Sequence, residues 1–313
     1  MKLEVKRQII EALEAYMTEH NISQNKAAER SGVNASYIIE MRKGNFSIET
    51  GGKTVEFSDK HFEKIAEMVG FHIRKTYWPT QPTVQLLEVM AVLEDAKQNA
   101  YMRTIIGDTG CGKSCGIELF QKKNPNDTFV ITVSQLDNIG DILDKIIDIL
   151  NIVPAKTKSK KAKEIIAKLR NMKLEGKTPM LIFDECEYMK QQTLCAMKEL
   201  YDNLVNKYCA VVLVGHSQLL TNVDRLRKKN KDGIPQLYRR IKFGIRRLEP
   251  IDRTYKLFLD GYDKKLAKFL QGVCENYGEL HDVLVPALRE ADRVNEPVSE
   301  DLVRRMLNMP SQI

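Results

Sequence analysis

Hydrophobic positions in the second part of the chain follow two alternating patterns. Short apolar runs predict strands, and the longer stretches between them carry apolar residues at helical spacing. The predicted strands are 101–106, 128–133, 178–183, 209–214 and 243–248. Strands that alternate with helices form parallel sheets covered on both faces, so we expect an α/β core with a parallel sheet covered by helices.

Both ends of the chain are predicted to be helical. Residues 5–20 carry an apolar face, residues 54–75 predict a further helix, and residues 252–309 read as helices only. The segment Tyr77-Trp78-Pro79-Thr80-Gln81-Pro82-Thr83 is the best linker candidate, because two prolines among polar residues favour extended chain. We expect Trp78 to pack this linker onto the next domain. The predicted domains are 1–75, 76–250 and a helical lid, 251–313.

Between residues 23 and 44 the sequence predicts two short helices around a turn. Ser23 and Asn34 are cap residues, Gly32 makes the turn and Gly44 ends the second helix. This pattern resembles the helix-turn-helix of the lambda-repressor-type family, whose second helix enters the DNA major groove. The resemblance implies DNA contacts from exposed residues of the second helix and its cap: Asn34, Ser36, Tyr37, Glu40 and Arg42. Residues 1–75 hold twelve Lys/Arg against eleven Asp/Glu, so the expected field toward DNA is weak, and an ordinary helical bundle stays open.

The most specific motif follows the first predicted strand of the core. Residues 107–114 fit G-x-x-x-x-G-K-[ST], the phosphate-binding loop, and a predicted helix follows. Backbone N–H groups and the helix dipole then face a β-phosphate, the lysine reaches the β/γ oxygens, and the serine hydroxyl reaches Mg²⁺. The predicted ATP-binding residues are Gly107, Asp108, Thr109, Gly110, Cys111, Gly112, Lys113 and Ser114.

A second motif predicts hydrolysis. The apolar strand 178–183 leads directly into Asp184 and Glu185. In ATPases with a phosphate-binding loop, the first acid holds the Mg²⁺ shell and an adjacent glutamate can polarise the attacking water. We therefore expect Ser114 and Asp184 at the metal and Glu185 as the catalytic base.

Three further positions resemble elements of AAA+ ATPases. His216 or Ser217, after the fourth strand, lies where these proteins place a polar γ-phosphate sensor. Arg240, or else Arg239, lies where they carry an arginine finger that reaches the ATP of a neighbouring subunit. His281 takes the place of the arginine that often touches nucleotide from the lid, so the resemblance leaves this second sensor open. The alternative for the sensor position is a turn histidine whose polar atoms are hydrogen-bonded to the backbone. The alternative for the finger position is a solvated basic turn.

Positive charge is concentrated in two segments. Residues 156–177 hold nine basic side chains against two acidic ones, and residues 225–247 hold ten against one, whereas the whole chain has a net charge of +7. Concentrated basic patches favour binding to phosphate backbones, with solvated surface as the alternative. The candidate DNA contacts are Lys156, Lys158, Lys160, Lys161, Lys163, Arg225, Arg227, Lys228 and Lys229.

The composition limits the classes of protein to which this chain can belong. The 313 residues include 43% hydrophobic residues, enough for a sizeable core, but the sequence has no apolar run long enough for a membrane helix. The first residues are charged, unlike a signal segment. Six cysteines lack metal-like spacing, so we expect reduced thiols in a cytoplasmic protein.

The order of these parts resembles the DNA-transposition AAA+ regulators typified by phage Mu transposition protein B. The resemblance rests on the length, the N-terminal helices, the loop at 107–114, the pair Asp184-Glu185 followed by Cys186-Glu187, and the short helical lid. It implies an ATPase using ATP and Mg²⁺ that forms homo-oligomers on double-stranded DNA, delivers that DNA to a DDE transposase and stimulates transposition. A replicative helicase loader or initiator, and a transcription regulator whose oligomerisation is gated by ATP, remain alternatives.

Overall fold

The computed structural model describes residues 1, 3–50, 53–71, 76–204 and 208–310. Contacts within the chain divide it into two units, Met1–Thr76 and Tyr77–Ile313. Each unit has its own hydrophobic core. The further predicted division at residue 250 stays a prediction.

The described residues of the first unit form four helices, which pack around a core that includes Ile9, Leu13, Ile38 and Phe62. The two short helices begin and end as predicted, because Ser23 and Asn34 accept N–H bonds at their first turns and Gly32 has a φ of +64°. The elements are α1 (Leu3–Glu19), α2 (Gln24–Ser31), α3 (Ala35–Arg42), β1 (Ser47–Thr50), β2 (Lys53–Glu56) and α4 (Asp59–Met68).

A β-hairpin interrupts what the sequence predicts to be helix. β1 and β2 pair antiparallel, with Ile48 opposite Val55. The prediction of a helix from residue 54 is wrong at its start: Thr54 and Val55 are β-branched and favour a strand. The helix α4 begins only after Ser58, and residues 72–75 of the predicted helix lie outside the described residues.

The second unit contains a five-stranded parallel sheet, which confirms the predicted fold class. The strand order is β4-β5-β6-β3-β7. All five strands lie within one or two residues of their predicted bounds: β3 (Met102–Ile106), β4 (Thr128–Thr132), β5 (Met180–Asp184), β6 (Ala210–Gly215) and β7 (Ile245–Arg247).

Helices cover both faces of this sheet. The central strands β5 and β6 are fully buried, and side chains of their two faces belong to different core clusters. Because all strands are parallel, their carboxyl ends meet at one edge, where ligands bind in open α/β sheets. The covering helices are α5 (Val84–Asn99), α6 (Lys113–Lys123), α7 (Ile139–Ile149), α8 (Lys158–Leu174), α9 (Gln191–Leu204), α10 (Ser217–Lys228) and α11 (Ile234–Ile241).

The chain after β7 is helical, as predicted. Its helices pack around Tyr255, Leu266, Leu270 and Leu284. They are α12 (Lys256–Leu259), α13 (Lys264–Val273), α14 (Tyr277–Val294) and α15 (Glu300–Met306). Among the described residues, no helix combines the length and the apolar character that crossing a membrane requires.

A largely buried ion pair ties α5 to the amino ends of β4 and β5. Lys97 Nζ lies 2.5 Å from Asp127 Oδ1 and also donates to the carbonyl of Thr178, 2.8 Å away. Asp127 Oδ2 in turn accepts the N–H and the hydroxyl of Thr178. Partial burial raises the pKa of Asp127, but the bonds from Lys97 and Thr178 outweigh it and lower the pKa overall.

We expect Lys97→Met to lower the free energy of unfolding by about 3 kcal/mol, because a nearly buried carboxylate is left without its cation. Asp127 has a lowered pKa in the folded protein, so its contribution is present above the ordinary value of 3.8 and is lost as pH falls through the folded value. Urea unfolding at neutral and acidic pH measures both effects. Arg293→Met removes an exposed pair with Glu290 and is the control, for which we expect little change. Equal effects of the two substitutions at neutral pH would contradict this prediction.

Candidate nucleotide-binding site

The predicted phosphate-binding loop joins the carboxyl end of β3 to the start of α6. Gly110 and Gly112 have φ angles of +71° and +95°, the left-handed region that glycine adopts without strain. Lys113 Nζ lies within the loop, donating to the carbonyl oxygens of Gly107 and Asp108 at 2.8 Å each. The loop therefore has a cationic centre at the amino end of a helix, the geometry of a phosphate cradle.

Asp184 and Glu185 lie beside this loop, at the end of β5. Ser114 Oγ donates to Asp184 Oδ2 at 2.9 Å, and the backbone N–H of Glu185 donates to Asp184 Oδ1 at 2.9 Å. Glu185 has a φ of +59°, so the chain turns sharply directly after the strand. The structure thus brings the four predicted residues Lys113, Ser114, Asp184 and Glu185 together.

The Glu185 carboxyl has a raised pKa. Its causes are partial burial and the nearby charges of Asp184 and Glu187, while Lys113 acts in the opposite direction. A carboxylate whose pKa is raised toward neutrality accepts a proton more readily than an ordinary one. Glu185 is therefore suited to the role of general base.

The hydroxyl of Ser114 and the carboxylate of Asp184 form a set of hard oxygen donors 2.9 Å apart. Asp184 is only 8% exposed, so its carboxylate is held in place by burial as well as by two hydrogen bonds. Mg²⁺ prefers one or two such carboxylate or hydroxyl ligands together with phosphate oxygens and water. The donor set fits this ion.

His216 follows β6 at the same edge of the sheet. The Gly107 N–H donates to the carbonyl of Gly215, which joins the phosphate loop to the end of β6. The His216 ring caps α10 through Nδ1, and its Nε2 lies 3.9 Å from Asp108 Oδ1 of the loop. Ser217 Oγ lies 3.2 Å from the same Nδ1, on the side of the ring that faces α10. Of the two predicted sensor candidates, His216 is thus the one with a ring nitrogen, Nε2, that faces the loop.

The start of α14 closes over the phosphate loop. The Gly278 N–H donates to the carbonyl of Gly110 at 3.3 Å. A Cβ at Gly110 would lie 2.1 Å from Asn276 Oδ1, and one at Gly278 would lie 3.5 Å from the Gly110 Cα. Glycine at position 110 therefore permits an approach that a larger residue would block.

A cavity of about 310 Å³ lies between the loop and these helices. Its aromatic wall is formed by Trp78, which stacks on Phe258 with centroids 4.4 Å apart, and by Tyr277. His281 contacts Trp78 edge to face, with centroids 5.3 Å apart, and its Nδ1 lies 2.9 Å from Asp282 Oδ1. The cavity continues to Gly112, Lys113 and Ser114, so it can take a flat ring and a phosphate chain together.

Sequence reasoning missed the part that Trp78 plays in this cavity. Trp78 does pack the linker onto the helices that follow, as expected, but one side of the ring also lines the cavity with Thr80, Gln81 and Thr83. The available signal was the run of aromatic and polar residues just before α5, since an isolated tryptophan in a linker needs a partner surface.

Arg240 lies near the end of α11, away from the phosphate loop of its own chain. β7 starts four residues after α11 ends and runs parallel to β3, with Ile245 opposite Thr104. The end of α11 is therefore at the amino edge of the sheet, while the loop is at the carboxyl edge. Arg240 pairs with Asp202 of α9 at 3.0 Å, and Arg239 is exposed.

The predicted DNA-contact lysines occupy the start of α8 and the segment before it. Lys156, Lys158, Lys160 and Lys163 are exposed, and Lys161 pairs with Asp144. The stem of Lys158 packs beside Gly140, in the first turn of α7, which follows the carboxyl end of β4. This basic group therefore lies at the same edge of the sheet as the phosphate loop.

The second basic group lies in the last turn of α10 and just beyond it. Arg227 and Lys228 both pair with Asp224, and the Arg227 guanidinium lies 4.3 Å from the centroid of Tyr238. Arg225 donates to Asn222, and Lys229 follows the last residue of the helix. Part of this charge is therefore neutralised within the chain.

In the first unit, the proposed DNA contacts differ in their surroundings. Ser36 is exposed, but Tyr37 packs on Phe57 with centroids 4.6 Å apart. Arg42 pairs with Glu14 and donates to Gln24. Of the three side chains, Ser36 alone has neither an ion pair nor an aromatic contact among the contacts described for this unit.

Similarity to known proteins agrees with this site. Residues 96–223 match the AAA domain family. The chain is 25% identical over 219 residues to the Mu-like prophage FluMu DNA transposition protein B of Haemophilus influenzae, covering 69% of this chain and 71% of that protein. The chain thus contains an AAA domain and is similar to a transposition protein B. The resemblance predicted from its motifs is confirmed, and the AAA domain belongs to a family of ATPases.

Solved structures share the fold of this chain. The Aeropyrum pernix ORC2 protein in ADPNP–ADP complexes superposes with a TM-score of 0.56 at 16% identity, covering 76% of this chain and 71% of that chain. Cdc6p from Pyrobaculum aerophilum gives 0.54 at 17% identity, covering 73% and 69%. The Aeropyrum pernix ORC1 protein in complex with DNA gives 0.52 at 14%, covering 75% and 67%. At these identities the similarity concerns the fold.

Proposed function

We propose that this AAA+ protein binds and hydrolyses ATP, assembles on double-stranded DNA and delivers that DNA to a DDE transposase, whose strand transfer it stimulates. The observation that carries the ATPase part is the contact of Ser114 with Asp184 beside Lys113 and Glu185. The transposition part rests on the similarity to transposition protein B.

In the proposed mechanism, the base of ATP enters the aromatic cavity and the phosphates follow the loop. Backbone N–H groups of the loop and Lys113 bind the β- and γ-phosphates. Ser114 and Asp184 would hold Mg²⁺, which would supply positive charge to the phosphate oxygens. Glu185 accepts a proton from the water that attacks the γ-phosphorus, the bond from that phosphorus to the oxygen bridging the β- and γ-phosphates breaks, and ADP leaves with the bridging oxygen. The Nε2–H of His216 donates toward the γ-phosphate.

The positions of two basic groups relative to the sheet support a link between ATP binding and DNA binding. The exposed lysines at the start of α8 lie at the nucleotide edge of the sheet, and the end of α11 lies at the opposite edge. An arginine finger at that position can serve the ATP of a neighbouring copy but not its own. A homo-oligomer would then place several copies of the lysine group along the DNA. Together these copies strengthen a non-specific electrostatic contact with the phosphates.

We expect Lys113→Ala to lose ATP binding and Glu185→Gln to bind ATP but turn it over at least about 100-fold more slowly, as for loss of a general base. Binding of a fluorescent ATP analogue and phosphate release, each with and without Mg²⁺, measure the two effects. Lys122→Ala, which changes a lysine near the end of the same helix, is the control. Full ATPase activity in Lys113→Ala would show that the assigned site is wrong.

The DNA contact predicts a specific salt dependence. Replacing Lys156, Lys160 and Lys163 by alanine should weaken binding equally on unrelated duplexes and reduce the slope of log K against log salt by about 1 for each lost phosphate contact. The control changes Lys264, Lys265 and Lys268 of α13, which removes the same charge elsewhere. A strong preference for one duplex would favour an operator-binding regulator, and a preference for single strands would favour a helicase loader.

If Arg240 is an arginine finger that acts on a neighbouring subunit, two inactive variants should restore ATPase activity when they are mixed. Arg240→Ala should keep ATP binding and lose hydrolysis. Mixing it with Lys113→Ala should then recover activity, because one subunit supplies an intact ATP site and the other an intact arginine. Mixtures containing Arg239→Ala test the neighbouring residue in the same way. Co-assembly without recovery would count against a finger at residue 240.

A further inference from the structure

The side chain of Glu187 connects the turn after β5 to the end of β6. Its Oε2 accepts the backbone N–H of His216 at 3.1 Å. A Cβ at Gly215 would lie 2.4 Å from the same oxygen, so glycine at this position leaves the carboxylate its place. Asn222 of α10 donates to the backbone carbonyl of Glu187 at 3.3 Å, which fixes the turn from a second direction.

The contacts of the His216 ring determine which nitrogen carries its proton. The backbone N–H of Gln218 points at Nδ1, 3.4 Å away. A backbone N–H can only donate, so Nδ1 accepts, and a neutral ring then carries its proton on Nε2. The Ser217 hydroxyl, 3.2 Å from Nδ1, can donate to the same nitrogen. Nε2 is the nitrogen that faces the phosphate loop, 3.9 Å from Asp108 Oδ1.

We propose that Glu187 is a positioning residue, which holds the backbone of His216 so that the ring presents a fixed Nε2–H donor to the γ-phosphate. This inference rests on the proposed ATPase function. Glu187 does not touch the nucleotide; it acts through the N–H of His216. Hydrogen-bond donors that are held in place before the reaction stabilise developing charge without reorganisation. The contact of Glu187 with the His216 backbone provides this advantage.

A double-mutant cycle tests whether Glu187 acts through His216. We expect His216→Ala to lower kcat about 100-fold, as for loss of one preorganised donor, and Glu187→Ala to lower it about tenfold, both with ATP-analogue affinity nearly unchanged. In the double variant, Glu187→Ala should cost nothing beyond His216→Ala, because residues that act as a unit are not additive.

The controls separate positioning from folding. Glu187→Gln retains an oxygen that can accept the His216 N–H and should restore most of kcat. Asn222→Ala removes the other contact of this turn but leaves the Glu187 carboxylate and should keep kcat. Thermal unfolding of each variant identifies loss of structure. Additive losses in the cycle, or wild-type kcat in Glu187→Ala, would overturn the proposal.

A second measurement does not depend on hydrolysis. In protein labelled with ¹⁵N-histidine, nitrogen shifts at mildly alkaline pH distinguish the two tautomers, and His216→Asn assigns the signal. We expect the Nε2–H form in wild type and in Glu187→Gln, and a mixture of tautomers in Glu187→Ala. An Nδ1–H form in wild type would overturn the proposal even if ATPase activity is present. If the wild-type protein does not hydrolyse ATP, the proposed function fails while the tautomer still decides the positioning role.

Discussion

The hydrogen bond from Ser114 to Asp184 is the contact on which the site depends. Ser114 lies in the first turn of α6 after β3, and Asp184 ends β5, yet β6 lies between these two strands. The bond can form because the carboxyl ends of the three parallel strands reach the same level. Parallel strand order thus brings together a loop and an acid that are 70 residues apart in sequence.

The C-terminal helices also pack closely against the phosphate loop. α14 approaches the loop so closely that Gly278 donates to the Gly110 carbonyl, and a side chain at position 110 would collide with Asn276. Aromatic rings then fill the space beside the loop, with Trp78 between Phe258 and His281. Backbone contact fixes the distance between loop and helix, and ring stacking fixes the width of the cavity.

The sequence predicts those parts of the structure that depend on residues close together in the chain. The phosphate loop has its glycines, lysine and serine within eight positions, and the buried strands are continuous apolar runs, so both were recognisable. The hairpin β1–β2 was not predicted, because four-residue strands are too short to show a clear period. Neither were the contacts of Trp78 with Phe258 or of Arg42 with Glu14, since pairs distant in sequence depend on packing.

The charges around Glu185 show what a glutamate at position 187 contributes. Three carboxylates within four residues, Asp184, Glu185 and Glu187, concentrate negative charge at a site that has to bind anionic phosphate. Lys113 and the amino end of α6 offset part of this charge. Partial burial is the largest cause of the raised pKa of Glu185, followed by the charge of Asp184 and then that of Glu187. Glutamine at position 187 would remove only the smallest of these causes and could still accept the N–H of His216, so the bond to His216 is the main contribution of this side chain to the site.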